Sequence, residues 1–124
     1  MTTIRCILET GTGTDLHGGD YTKAACRAVK DAISHSSLTF VGVLDLDRDT
    51  LPVHVTIGVQ QPDAVDAGAI AELLPVGKVA VDVVTGGLDV PDAQSGDLAV
   101  IASAAVQVFL PQNFVVPSNA GVNG

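Results

Sequence analysis

An α/β fold of the α+β kind, in the order βαβαββ with two helices on one face of a mixed sheet, follows from three observations. Apolar residues alternate over residues 3–9, 53–59 and 77–84, and residues 98–110 are apolar on both faces, which together read as four strands. Between the first three of these, residues 20–34 and 62–74 carry apolar residues at helical spacing instead. Hydrophobic residues make up 47% of the chain, yet its aromatics are three Phe and one Tyr, so the core is built of Val, Ile, Leu and Ala. A length of 124 residues fits one domain, with residues 1–110 as the βαβαββ unit and 111–124 as an irregular tail.

In the first strand, Ile4, Cys6 and Leu8 share one face, and the Gly/Thr-rich stretch from Thr10 to Gly19 reads as a loop. Ala24, Ala25, Ala28, Val29, Ala32 and Ile33 then recur at helical spacing, with Asp20 as the N-cap and fraying near His35. Leu38 to Leu44 fits either a short strand or a helical turn, and Asp45 to Asp49 a solvated loop. Val53, Val55, Ile57 and Val59 alternate with His54, Thr56, Gly58 and Gln60 as a half-buried strand. Pro62 and Asp63 open the second helix, which Pro75 closes, and Gly77 to Val84 form a strand ended by Thr85-Gly86-Gly87. Leu98 to Leu110 is apolar on both faces, which places it centrally in the sheet. The tail from Pro111 reads as irregular or draped over a neighbour.

Right-handed βαβ crossovers put both helices on one face and leave the other uncovered. With so many Val and Ala side chains, the uncovered face needs a partner, and a closed homo-oligomer supplies one.

Fourteen acids against six bases give a net charge of −8. That balance excludes general nucleic-acid binding and attachment to anionic membranes, which need clustered cations. No stretch approaches the roughly 20 apolar residues of a membrane span, and the start lacks the apolar region of a signal peptide. Cys6 and Cys26 lack CxxC spacing and read as free thiols in a reducing compartment, with a disulfide or zinc pair as the alternative. A cytoplasmic protein is the expectation.

The densest chemical feature is Gly11-Thr12-Gly13-Thr14-Asp15-Leu16-His17-Gly18-Gly19-Asp20, running into the first helix. Glycines there allow positive φ and close approach of backbone to a ligand, and the helix N-terminus beyond favours anions. It is neither a phosphate-binding Walker loop nor a dinucleotide fingerprint, so no cofactor is expected. A tight glycine turn with an incidental Asp and His is the competing reading. Lys23, Arg27 and Lys30 follow at i, i+4 and i+7, so three of the six cations line one helical stripe behind this loop. A solvated helix face with an Arg27–Asp31 pair explains that stripe structurally. In so acidic a chain the concentration of cations points instead to a site for a small anionic or carbonyl-rich molecule.

The segment from Gly11 to Gly18 resembles GxGxDxHG, the hallmark of a small family of conserved hypothetical proteins of bacteria with longer versions in plants. The resemblance continues through Asp20 to Ser37 and covers residues 4 to about 110. It implies no reaction. The element order resembles small trimeric folds typified by bacterial chorismate mutase and the RidA/YjgF proteins, which implies a homotrimer with sites in clefts between subunits. One unit of the ring-opening amidohydrolases, cyanuric acid hydrolase and barbiturase, is similar more remotely. Thr22-Lys23 stands where those enzymes tend to have Thr-Arg, and Thr85-Gly86-Gly87 where they have Ser-Gly-Gly.

Other candidates have sufficient structural explanations. Asp45, Asp47 and Asp49 begin like a calcium loop, but Thr50 and Thr56 stand where Gly and Glu belong. His54 reads as a surface or sheet residue, His35 as a helix C-terminal residue and Ser103 as a small packing residue. Asp15 and His17 with Glu9 make too thin a ligand set, and no metal is expected.

The expectation is therefore a site at subunit interfaces. Asp15, His17 and Lys23 are its catalytic candidates, and Gly11, Gly13, Gly18, Arg27 and Lys30 its substrate-binding ones. Hydrolysis of a cyclic amide or related carbonyl compound, with His17 and Asp15 as the acid/base pair, stands beside a non-catalytic anion-binding or structural homotrimer.

Overall fold

A computed structural model describes residues 3–34, 51–74 and 78–111. The elements are β1 (Thr3–Asp15), α1 (Tyr21–Ser34), β2 (Pro52–Val59), a 3-10 turn (Pro62–Ala64), α2 (Ala67–Ala71), β3 (Lys78–Thr85), β4 (Leu88–Pro91) and β5 (Leu98–Pro111). Expectations for residues 35–50, for Pro75 and for the tail beyond Pro111 lie outside the described residues.

The five strands form one mixed sheet in the order β1-β5-β2-β3, with β4 also paired to β5. As its double-sided apolarity predicts, β5 is central: it runs antiparallel to β1 along one edge and to β2 and β4 along the other. The β2–β3 pair is parallel. The short β4, within a stretch that reads as loop, makes this a five-stranded sheet instead of four.

Alternation sorts the side chains into a covered and an open face. Val53, Val55, Ile57 and Val59 of β2 and Val100, Ala102, Ala104, Val106 and Val108 of β5 are buried beneath the helices. From α1, Ala24, Ala25, Ala28, Val29 and Ala32 meet them, and α2 adds Ile70. The open face carries Thr10 and Thr12 of β1, Ser103 and Ala105 of β5, and Thr56 and Gly58 of β2 in register. Leu8, Val84, Leu88 and Val90, four of the large hydrophobics that stay exposed, lie on this same face. His54 lies here too, with its Nε2 2.7 Å from Asp82 Oδ2.

Three local expectations change. The strand expected over residues 3–9 continues to Asp15, so the connection to α1 is only residues 16–20. Thr10, Thr12 and Thr14 point to the open face, while Gly11 and Gly13 lie under α1. A Cβ on Gly13 would stand 2.3 Å from both Ala24 O and Ala28 N, and one on Gly11 2.4 Å from Ala32 N. These glycines let a helix backbone touch a strand backbone, and that contact accounts for them without a ligand.

A register shift between Arg5 and Ile7 also breaks the regular alternation expected for β1, and beyond it Leu8 lies on the open face beside Gln107.

The helix expected over 62–74 is two pieces. Val65 is extended (φ −93°, ψ 132°), and Asp66 restarts the helix by accepting hydrogen bonds from Gly68 N and Ala69 N.

Candidate functional site

Of the expected site residues, Asp15, His17, Gly18, Lys23 and Arg27 gather at the end of β1 and the start of α1, whereas Gly11 and Lys30 lie away from it. Asp20 accepts a hydrogen bond from Lys23 N through Oδ1 (3.0 Å), and its carbonyl accepts from Ala24 N (3.1 Å), so it caps α1 as expected. Asp15 is the last residue of β1 and points to the covered face, with 5% of its side chain exposed. Its Oδ2 accepts from Asp20 N (2.9 Å), which ties the five-residue connection shut. Its Oδ1 lies 3.8 Å from Lys23 Nζ and 3.7 Å from Arg27 NH1. Two cations thus share one buried carboxylate, and both keep about half of their side chains exposed (53% and 48%).

Arg27 has a second task. Its NH1 donates to Thr14 O (2.6 Å), while Thr12 N donates to Asp31 Oδ2 (3.0 Å). Both bonds engage groups of β1 that do not pair with β5, so α1 side chains satisfy the outer edge of the sheet. The helical stripe therefore splits its duties. Lys23 and Arg27 reach the end of β1, whereas Lys30 does not line the same concavity.

His17 does not pair with Asp15, contrary to the acid/base pair expected from their spacing. Its Nδ1 lies 2.9 Å from Asp97 Oδ2, and Gly18 N donates to Asp97 Oδ1 (2.9 Å). Asp15 is drawn inward by the pleat and the Asp20 amide, while His17 lies beyond the strand and is 86% exposed. Gly18 turns the chain there with φ +96°, so its amide serves Asp97 and is committed within the protein.

Hydrogen bonds from Gly18 N, then His17, then Leu98 N hold the Asp97 carboxyl down to about 2. An ionised Asp97 can only accept, so Nδ1 of His17 carries a proton, and Nε2 of the neutral ring keeps its lone pair. Nε2 has no hydrogen-bond partner among the described residues.

Asp97 is the residue that sequence spacing misses. It stands 80 positions from His17, and the antiparallel pairing of β1 with β5, which sets Asp15 opposite Val100, brings the turn before β5 beside the end of β1.

A depressed native pKa stabilises the fold above the unfolded value near 3.9 and is lost as pH falls toward about 2. Acid titration monitored by circular dichroism should therefore show a shallower loss of stability between about pH 4 and 2 for Asp97→Asn than for the unsubstituted chain.

Deeper in, Tyr21 OH donates to Asp89 Oδ2 (2.5 Å), and that bond and burial raise the phenol above its ordinary value. Asp89 Oδ1 is buried without a partner among the described residues. The Cys26 thiol is free and is raised chiefly by burial, which suits packing better than reactivity.

Thr14, Asp15, Leu16, His17, Lys23 and Arg27 line a concavity of about 550 Å³. On the other side of His17, a second of about 620 Å³ is lined by Leu16, Val90, Pro91, Ala99 and the 92–97 turn. Thr85-Gly86-Gly87 belongs to neither. It borders a third concavity of about 670 Å³ on the open sheet face, with Thr10, Gly11, Thr12, Thr56 and Ser103. Among the described residues, no group of three or more His, Cys, Asp or Glu side chains is placed to hold a metal ion. No helix among them is long and apolar enough to cross a membrane.

A crystal structure of an FtsZ-like protein of unknown function from Nostoc punctiforme is similar to this chain. It shares 32% identity over 90% of this chain and 99% of that one, with a TM-score of 0.79. No curated protein compared with the chain matches it. A family model described as "Conserved hypothetical protein (Lin0512_fam)" matches residues 5–108, which span β1 to most of β5. The chain belongs to this conserved hypothetical family, Lin0512_fam.

Proposed function

We propose that the chain binds a small anionic or carbonyl-rich molecule at the end of β1, in a homotrimer, and that His17 transfers protons there. The observation that carries this reading is the exposed His17, oriented through Nδ1 by an ionised Asp97, beside two half-exposed cations that share one carboxylate. Asp15 has a positioning role, because its oxygens hold Lys23, Arg27 and the Asp20 amide. A carbonyl oxygen over Lys23 and Arg27 would have its developing negative charge stabilised.

The reaction class that follows is hydrolysis of a cyclic amide or related carbonyl compound. His17 Nε2 takes a proton from a water whose oxygen adds to the carbonyl carbon. The same proton passes to the ring nitrogen as the C–N bond breaks. The trimer is supported by the open sheet face, where Leu8, Val84 and Leu88 need cover.

One observation favours the second reading, binding without chemistry. Thr85-Gly86-Gly87, the segment similar to the amidohydrolases' Ser-Gly-Gly, shares no lining residue with the His17 concavities.

The test is turnover of a panel of cyclic imides and amides. Turnover lost in His17→Ala and slowed in Asp97→Asn, with oligomeric size unchanged, supports the catalytic reading. Turnover that survives His17→Ala contradicts the role of His17. Stabilisation by anions without turnover, lost in Lys23→Ala, supports the binding reading.

A further inference from the structure

We infer that the ligand of this site is amphiphilic: a small monoanionic acid whose head lies over Lys23 and Arg27 and whose carbon body lies across Leu16 toward Val90 and Pro91. The inference rests on the small-molecule reading above and adds the chemical class. The two concavities beside His17 share Leu16 and His17 as common walls, so one ligand can occupy both. Their chemistry differs on the two sides.

On the β1 side, two half-exposed cations share one buried carboxylate, so both keep charged surface for an anionic head. A second negative charge is disfavoured, because the carboxylates of Asp20, at the start of α1, and of Asp97, just across His17, lie nearby.

On the β4 side the floor and wall are apolar, with Val90, Pro91, Ala93 and Ala99. Leu16 is 63% and Val90 48% exposed, so both have apolar surface left to bury. The acids of that side are turned into their own turn. Asp92 Oδ1 accepts from Gln94 N (2.9 Å), and Asp97 accepts from Gly18 N, Leu98 N and His17. Their charges are met by amides, and the apolar surface is what remains for a ligand.

Calorimetric titration of the full chain with acetate, hexanoate and hexan-1-ol tests this. Hexanoate should bind about tenfold more tightly than acetate, since its four added methylenes leave water only in part in so shallow a groove. Hexan-1-ol should bind more weakly than hexanoate. Lys23→Ala should weaken both acids, whereas Val90→Ser should weaken hexanoate and leave acetate unchanged. Equal binding of the two acids, or hexan-1-ol binding as tightly as hexanoate, overturns the amphiphilic class while leaving the small-molecule reading standing. Failure of both acids to bind overturns both.

Discussion

Replacing Gly13 by alanine should destabilise the fold by about 4 kcal/mol or more, because the new methyl group meets backbone that cannot yield. Its Cβ would stand 2.3 Å from Ala24 O, 2.3 Å from Ala28 N and 2.7 Å from Arg27 C. None of these is a rotatable side chain. To relieve the clash, α1 must lift from β1, and Ala24, Ala25 and Ala28, all fully buried, lose their contact with the sheet. Urea denaturation should therefore give either a largely unfolded chain or a sharply lowered midpoint. Gly96→Ala is the control: a Cβ there meets nothing within 4 Å, and only its φ of +74° opposes the substitution. It should cost on the order of 1 kcal/mol. A Gly13→Ala variant as stable as Gly96→Ala would refute the close helix–strand contact.

Asp15→Ala should cost about 2–3 kcal/mol, the range for a lost charge-assisted hydrogen bond in a buried place. The substitution strips the Asp20 amide of its acceptor and leaves Lys23 and Arg27 without their shared anion. The two cations are half exposed and can turn to water, so the cost falls below that of breaking a fully buried ion pair. Asp15→Asn keeps an oxygen for the Asp20 amide and should recover part of the loss in a thermal melt. If Asp15→Ala melts like the unsubstituted chain, the carboxylate does not hold the connection between β1 and α1.

The larger architecture is legible from periodicity. β2 reads directly as Val53, Val55, Ile57 and Val59 on one face, and β5 declares its central place by being apolar on both. Misreadings arise where one residue type serves two purposes. Glycines in Thr10–Gly19 suggest a loop, yet the threonines between them already alternate with strand period, and Gly11 and Gly13 lie under a helix. Val65 and Asp66 carry helix-compatible neighbours, but the Asp66 side chain competes with the helix and restarts it.

Local spacing groups Asp15, His17, Lys23 and Arg27, and the structure places all four around one concavity. Local spacing cannot see that the pleat sends Asp15 inward and leaves His17 outside, nor that the pairing of β1 with β5 brings in Asp97. A pairing across 80 residues is a property of the sheet.

Whether the end of β1 and the start of α1 receive a small anion or carbonyl group can be read by an amide-resolved nuclear magnetic resonance titration with acetate. Saturable shifts should concentrate at Leu16, His17, Lys23 and Arg27, with the same amides silent in Lys23→Ala. Shifts centred on the open sheet face around Thr12, Thr56 and Ser103, or no saturable shift at all, would contradict binding at this site.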